Sequence, residues 1–271
     1  MIRAHGLRKS FAGVEAVRDV GFEVQAGTIF GLLGPNGAGK TTTLRILATL
    51  IAPDDGSAEV AGFDVLLQGE EVRRRIGVVN GGMGLYDRLT GRETLHWFGG
   101  LYGMSAAAIE ARIEELDGLL DLGDTLHRRC GDFSTGMKQK IVVARAVVHD
   151  PPVLFFDEAT SGLDVLARRA VLDFARAATG GERAVVWSTH VMSEAEELCD
   201  RVGVIHRGRW IGEGTVDELK QRAGGARDLE AAFFGLVRDA GALDADARGA
   251  GARDARSDAA TAAGGHEGRR P

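Results

Sequence analysis

The sequence predicts an α/β protein, a core of parallel strands and helices with a helical segment inserted in its middle. Three observations predict it. Residues 34–42, GPNGAGKTT, stand between a short apolar run and a helix-patterned one. Residues 153–156 and 184–188 are continuous apolar runs, the pattern of strands covered on both faces in a parallel sheet. From Gly91 to His149 the spacing of apolar residues is mostly helical. Strands alternating with helices in this order build a layered α/β core.

The elements follow in chain order. The first part alternates in a β-like way, with residues 14–24 and 28–33 bracketing the turn Gln25-Ala26-Gly27. That pattern predicts an N-terminal antiparallel β part. Residues 41–50, rich in Leu, Ile and Thr, read as a helix. Pro53-Asp54-Asp55-Gly56 is a turn signal before a strand over 57–60. Residues 76–79 form a further short strand after Arg73-Arg74-Arg75. Helices are expected over 92–102, 106–120 and 134–149, then strands over 153–156 and 184–189. Ser193-Glu194-Ala195-Glu196 fits a capping box, so a helix should start near Ser193.

The C-terminal end differs in composition. Gly224-Gly225 precedes a stretch in which Leu229, Phe233, Phe234, Leu236 and Val237 give one amphipathic helix, expected over 227–239. Beyond Leu243 only small and charged residues occur, which bury too little surface to offset chain entropy. Roughly the last 25 residues are expected to be disordered. The organisation predicted is a domain over 1–221, with its helical insertion at about 82–150, and an extension over 222–271.

Composition excludes several classes. The chain has 271 residues, 44% of them hydrophobic, and a formal net charge of −6. That balance supports a sizeable core and argues against binding nucleic acid through a global basic field. Cys130 and Cys199 lie far apart without metal-ligand spacing and read as reduced thiols. The opening MIRAHGLRKSF lacks the apolar centre of a signal peptide. No run reaches the ~18 apolar residues that suggest a membrane span. A membrane role would come through a partner.

The glycine run carries the first chemistry. Gly34, Pro35, Asn36, Gly37, Ala38, Gly39, Lys40, Thr41 and Thr42 fit G-x-x-x-x-G-K-[ST] between strand and helix. Glycines let backbone N–H groups turn toward an anion, and a helix N-terminus adds partial positive charge. Lys40 would reach the β- and γ-phosphates, and the Thr41 hydroxyl would hold Mg²⁺. A second motif, Val153-Leu154-Phe155-Phe156-Asp157-Glu158, ends an apolar strand in two carboxylates. Asp157 would act on the metal through water, and Glu158 would polarise the attacking water as general base.

A third motif, Asp132-Phe133-Ser134-Thr135-Gly136-Met137-Lys138-Gln139, opens a helix with a hydroxyl and backbone N–H groups. Here the chain resembles the ATP-binding cassette of ABC transporters, whose signature is written L-S-G-G-Q. The resemblance implies the ABC form of the P-loop NTPase fold. It also implies that Ser134 and Gly136 meet the γ-phosphate of ATP bound on a second cassette. Ser161-Gly162-Leu163-Asp164 matches the S-G-L-D loop that touches the opposite subunit. His190 matches the switch histidine that senses the γ-phosphate. Phe11 stands where the family stacks an aromatic on adenine, though an aromatic there serves equally well in a core.

Two departures from the family pattern stand out. Ala159 replaces the Pro that usually follows the catalytic Glu, which should loosen that turn slightly. Gly81 aligns with the Gln that usually touches Mg²⁺, leaving Asn80 or water to substitute, or the coupling to loosen. GLYDRLT at 84–90, FSTGMKQK and HVMSEAEELCDR are similar to the sodium-efflux branch of ABC exporter ATPases, which often lacks that Gln. The resemblance thus implies an ATP-hydrolysing exporter subunit on the cytoplasmic face of the cell membrane. It would form a homodimer around two ATP and drive a separate membrane-spanning permease subunit, without nucleic acid. A soluble ABC ATPase ranks second, since such relatives generally carry two cassettes or coiled-coil insertions. A non-hydrolysing regulatory module ranks third, because Glu158 and His190 are both present.

Overall fold

A computed structural model of the chain describes residues 1–80 and 84–241. The chain divides into two compact units, Met1–Glu218 and Leu219–Pro271. The first opens with β1 (Ile2–Phe11) and β2 (Val14–Val24), antiparallel from Ile2↔Val24 to Phe11↔Val14. β3 (Ile29–Leu33) leads through the glycine loop into α1 (Lys40–Leu47). β4 (Asp55–Val60), β5 (Phe63–Asp64), α2 (Gly69–Arg73) and β6 (Ile76–Asn80) follow. Then come the helices α3 (Gly91–Leu101), α4 (Ala106–Leu120) and α5 (Thr135–Val147). β7 (Val153–Asp157), α6 (Val165–Ala178), β8 (Ala184–Thr189) and α7 (Met192–Leu198) return to the core. The hairpin β9 (Arg201–His206) and β10 (Arg209–Gly214) precedes α8 (Val216–Arg222).

Among the described residues these strands form one sheet in the order β5-β4-β1-β2-β10-β9-β3-β8-β7-β6. Strands β9, β3, β8, β7 and β6 run parallel. β5, β4, β1 and β2 pair antiparallel, as do β9 and β10. The Arg209↔Arg18 pair joins β10 to β2 and so connects the two parts. The architecture is the α/β arrangement with an N-terminal antiparallel part that the sequence predicts.

The central strands explain their own composition. β3, β7 and β8 are buried along their whole length. Leu154, Phe156, Val185 and Trp187 enter the cluster built with the inserted helices and α6. Their neighbours Val153, Phe155, Ala184 and Val186 enter the cluster on the opposite face. With both faces dry, period-two packing leaves no polar alternation in the sequence. The rings of Phe156 and Trp187 lie 5.0 Å apart.

Several helix starts carry small polar caps. Thr90 and Glu93 form a reciprocal capping box at α3, Ser105 caps α4, and Asp164 caps α6. The box expected at Ser193–Glu196 does not form. The helix itself starts where expected, within one residue: α7 begins at Met192, and no side chain caps it at Val191, so Ser193 lies inside the helix. The β9–β10 hairpin, which the sequence reading passed over, turns on Arg207 (φ 50°) and Gly208 (φ 78°), two left-handed residues in succession. Trp210 from this hairpin stacks on Phe22 at 5.3 Å and on Phe30 at 6.3 Å.

In the second unit a helix runs over 229–241, with Leu229, Ala232, Phe233 and Leu236 buried and Phe234 exposed. Gly81 and the expected disordered tail lie outside the described residues.

Candidate nucleotide site

The glycine loop closes on its own backbone. The Ala38 amide donates to the Pro35 carbonyl at 3.1 Å, and the Gly208 amide donates to the Ala38 carbonyl at 2.8 Å. The β9–β10 turn therefore braces the loop from behind. Two glycines are demanded by geometry. Gly39 has φ 112°, and a Cβ on Gly34 would overlap the Ile205 carbonyl. The loop delivers Ala38, Gly39 and Lys40 to the start of α1, all buried.

A cavity of about 390 Å³ sits over this turn, lined by Ala16, Asn36, Gly37, Ala38, Gly39, Lys40, Thr41, Thr42 and Glu158. Lys40, 3% exposed, donates from Nζ to the Gly34 carbonyl at 2.8 Å and to the Pro35 carbonyl at 3.2 Å. The same ammonium lies 3.2 Å from Glu158 Oε1. A buried cation held by two carbonyls and one carboxylate is pre-positioned for an anion.

The carboxylates come from the end of β7. Thr41 Oγ1 donates to Asp157 Oδ1 at 3.1 Å, and Ser188 Oγ donates to the same oxygen at 3.1 Å. Hydroxyl and carboxylate oxygens from Thr41 and Asp157 suit a small hard cation completed by phosphate oxygens and water. No cluster of three His, Cys, Asp or Glu able to hold a metal occurs among the described residues. Glu158 has φ 49°, left-handed, and its amide donates to the Ser188 carbonyl at 3.0 Å. His190 Nδ1 lies 3.5 Å from Glu158 Oε1. Lys40, Glu158 and His190 thus meet at one carboxylate oxygen.

The other predicted residues stand apart from this cavity. Ser134 is exposed and accepts from the Met137 amide at 3.3 Å, capping α5, with Gly136 in the first turn. Asp164 caps α6 by accepting from the Ala167 amide at 2.9 Å. Phe11 is 48% exposed, with Lys9 Nζ 5.6 Å from its ring centroid, so the core role for this aromatic is excluded.

The comparisons with known proteins decide the family. Residues 17–161 match the family model described as ABC transporter. The chain belongs to the ABC transporter family. This ABC ATPase is 45% identical over 207 residues to the ABC transporter ATP-binding protein NatA of Bacillus subtilis (strain 168), across 76% of this chain and 84% of that one. It is 43% identical over 223 residues to the daunorubicin/doxorubicin resistance ATP-binding protein DrrA of Streptomyces peucetius, across 82% and 68%. A solved ATP-binding subunit of an ABC transporter superposes with TM-score 0.81 at 30% identity, over 88% of this chain and 99% of that one. An ATP-binding cassette solved as a post-hydrolysis dimer bound to ADP and Pi shares the fold, with TM-score 0.72 at 23% identity over 79% and 98%. ATP binding and hydrolysis are the chemistry of this ABC ATPase.

Contacts that the local motifs do not reveal complete the site. Gln139 Nε2, from the signature helix α5, donates to the Ala159 carbonyl at 2.8 Å. That bond holds the turn after Glu158 where the family usually has Pro. Glu194, 1% exposed, accepts from Thr160 and Thr189 on either side of the Glu158–His190 pair. Ala16 lines the cavity through β2. Gln139 could have been suspected from its place in FSTGMKQK, whereas nothing near Glu194 in sequence signals its partners.

Proposed function

We propose that the chain is the energy-coupling ATPase subunit of an ABC exporter, with its ATPase domain over 1–221 and an extension over 222–271. The observation that carries the reading is the convergence of Lys40 and His190 on Glu158, 3.2 and 3.5 Å from Oε1. Lys40 and the loop amides at 34–42 hold the β- and γ-phosphates. Thr41 and Asp157 hold Mg²⁺, which neutralises phosphate charge when bound. Glu158 accepts a proton from the attacking water. The oxygen of that water bonds to the γ-phosphorus as the bond to the ADP oxygen breaks, releasing ADP and phosphate. His190 orients Glu158 and contacts the departing phosphate. Phe11 stacks on adenine.

In this reading Ser134 and Gly136 of a second copy close over the γ-phosphate, because they lie outside the cavity of their own chain. The assembly is a homodimer with two ATP at its interface. A membrane-spanning permease subunit receives the stroke and keeps the chain on the cytoplasmic face of the membrane; no helix among the described residues is long and apolar enough to cross one. Exposed Tyr86, Trp97, Leu101 and Tyr102 support a permease contact near Asn80–Tyr86 and the helices that follow. Sodium ion is the first cargo to test. Anthracyclines come second, because relatives are named for resistance to them.

Phosphate release by the purified chain tests the reading. Lys40→Ala is expected to lose ATP binding. Glu158→Gln is expected to bind ATP while turnover falls by about 10²–10⁴-fold. Turnover in Glu158→Gln equal to that of the parent would refute the assignment of the base.

A further inference from the structure

Glu194 is a carboxylate buried beneath the site with no part in phosphate or metal binding. It is 1% exposed, and both its oxygens are engaged. Oε1 accepts from Thr160 Oγ1 at 2.8 Å and lies 3.2 Å from Arg168 Nε; Oε2 accepts from Thr189 Oγ1 at 2.9 Å. Burying a carboxylate is costly unless it is paired, and apolar packing would fill the same volume with less penalty. Its partners account for its presence. Thr160 is two residues after Glu158, Thr189 is the residue before His190, and Arg168 sits on α6 behind the Ser161-Gly162-Leu163-Asp164 loop.

We propose that Glu194 is a positioning residue for ATP hydrolysis, setting the spacing of Glu158 and His190 by bracing the two turns that carry them. Thr189 is fixed twice. Its hydroxyl donates to Glu194 and accepts from the Val191 amide at 3.0 Å, so the chain is pinned on both sides of His190. The other turn starts from Glu158 in the left-handed region, where non-glycine residues stay only if their surroundings over-determine them. The Thr160–Glu194 bond supplies one such constraint, and the Leu163 amide donating to the Thr160 carbonyl at 3.2 Å extends it into the loop. Hydrogen bonds to an ionised acceptor are short and directional, which suits a spacer between two turns.

The inference rests on Glu158 as the base, and the test separates the two claims. In the full-length chain, Glu194→Gln keeps the shape but removes the charge that holds Arg168. Its kcat is expected to fall by about 10- to 100-fold. KM for MgATP and Kd for a fluorescent ATP analogue should stay within about twofold, since only the reacting geometry is disturbed. Thr160→Val and Arg168→Gln should shift kcat in the same direction by less. In a Glu158→Gln background, adding Glu194→Gln should lower residual turnover by no more than about twofold, because groups acting as a unit are not additive.

Unchanged kcat in Glu194→Gln beside an inactive Glu158→Gln would overturn this proposal alone. So would proportional losses of kcat, ATP affinity and Tm, or effects that multiply in the double variant. Full turnover in Glu158→Gln would overturn both claims. If Glu194→Gln does not fold, Arg168→Gln, whose side chain is 40% exposed, decides the matter by the same kcat and Kd readouts.

Discussion

Lys40 serves three acceptors with one ammonium: the Gly34 and Pro35 carbonyls and the Glu158 carboxylate. Its neighbours Thr41 and Asp157 share a hydrogen bond at 3.1 Å. These groups were legible in the sequence because each lies within a contiguous motif whose local geometry is nearly self-contained. The bonds of Gln139 and Glu194 were not, since their partners are brought together only when α5, β7, β8 and α7 pack. A residue of another kind, His149, gives a prediction about pH. Its Nε2 lies 3.1 Å from the Ile76 carbonyl, its ring stacks on Tyr102 at 3.5 Å, and Nδ1 is buried without a partner. Burial dominates and lowers its pKa to about 4; the Ile76 bond and Asp150 oppose the shift, and Arg112 adds to it. Below the ordinary histidine range the unfolded chain binds a proton that the folded chain refuses, so stability falls as pH drops. The contribution is complete above the unfolded value of 6.5 and is lost on descending to about 4. Thermal unfolding of His149→Gln beside the parent should show a shallower decline of Tm across that window. Parallel curves would refute the assignment.

At the scale of elements, two sequences of the same pattern behave differently. Thr90-Gly91-Arg92-Glu93 forms a capping box, with the Thr90 amide donating to Glu93 Oε2 at 2.8 Å. Ser193-Glu194-Ala195-Glu196 does not, because α7 starts at Met192 and Ser193 lies inside its first turn. Thr90→Ala should therefore cost about 1 kcal/mol in chemical denaturation, whereas Ser193→Ala should change little. The β9–β10 hairpin was not apparent in the sequence because its turn is Arg207-Gly208, without the Asn-Gly or Asp-Gly signal. It is nevertheless an element of the site, bracing the glycine loop through Gly208. It is held by close packing: a Cβ on Gly203 would overlap the Trp210 ring, which stacks on Phe22 and Phe30. Gly203→Ala should destabilise the chain by about 1–3 kcal/mol through overpacking, read as a lower urea midpoint at unchanged slope.

At the scale of the first unit, one mixed sheet holds the phosphate loop, the Asp157-Glu158 strand end and the His190 turn on adjacent strands β3, β7 and β8. The parallel part of that architecture was visible in the apolar runs, and the antiparallel part in the alternation of β1 and β2. The strand order was not visible, since pairings such as β9 with β3 are set by long-range packing. The signature residues Ser134 and Gly136 sit at the start of α5, away from the cavity that Lys40 lines. The proposed function has a second copy complete this divided site, so that ATP, bound by both halves only in the closed state, would shift the population toward the dimer. Sedimentation of the Glu158→Gln variant with MgATP and with MgADP tests this most directly. The 28.7 kDa chain should double its mass with ATP and remain a monomer with ADP. A variant saturated with ATP that still sediments as a monomer would contradict the shared site.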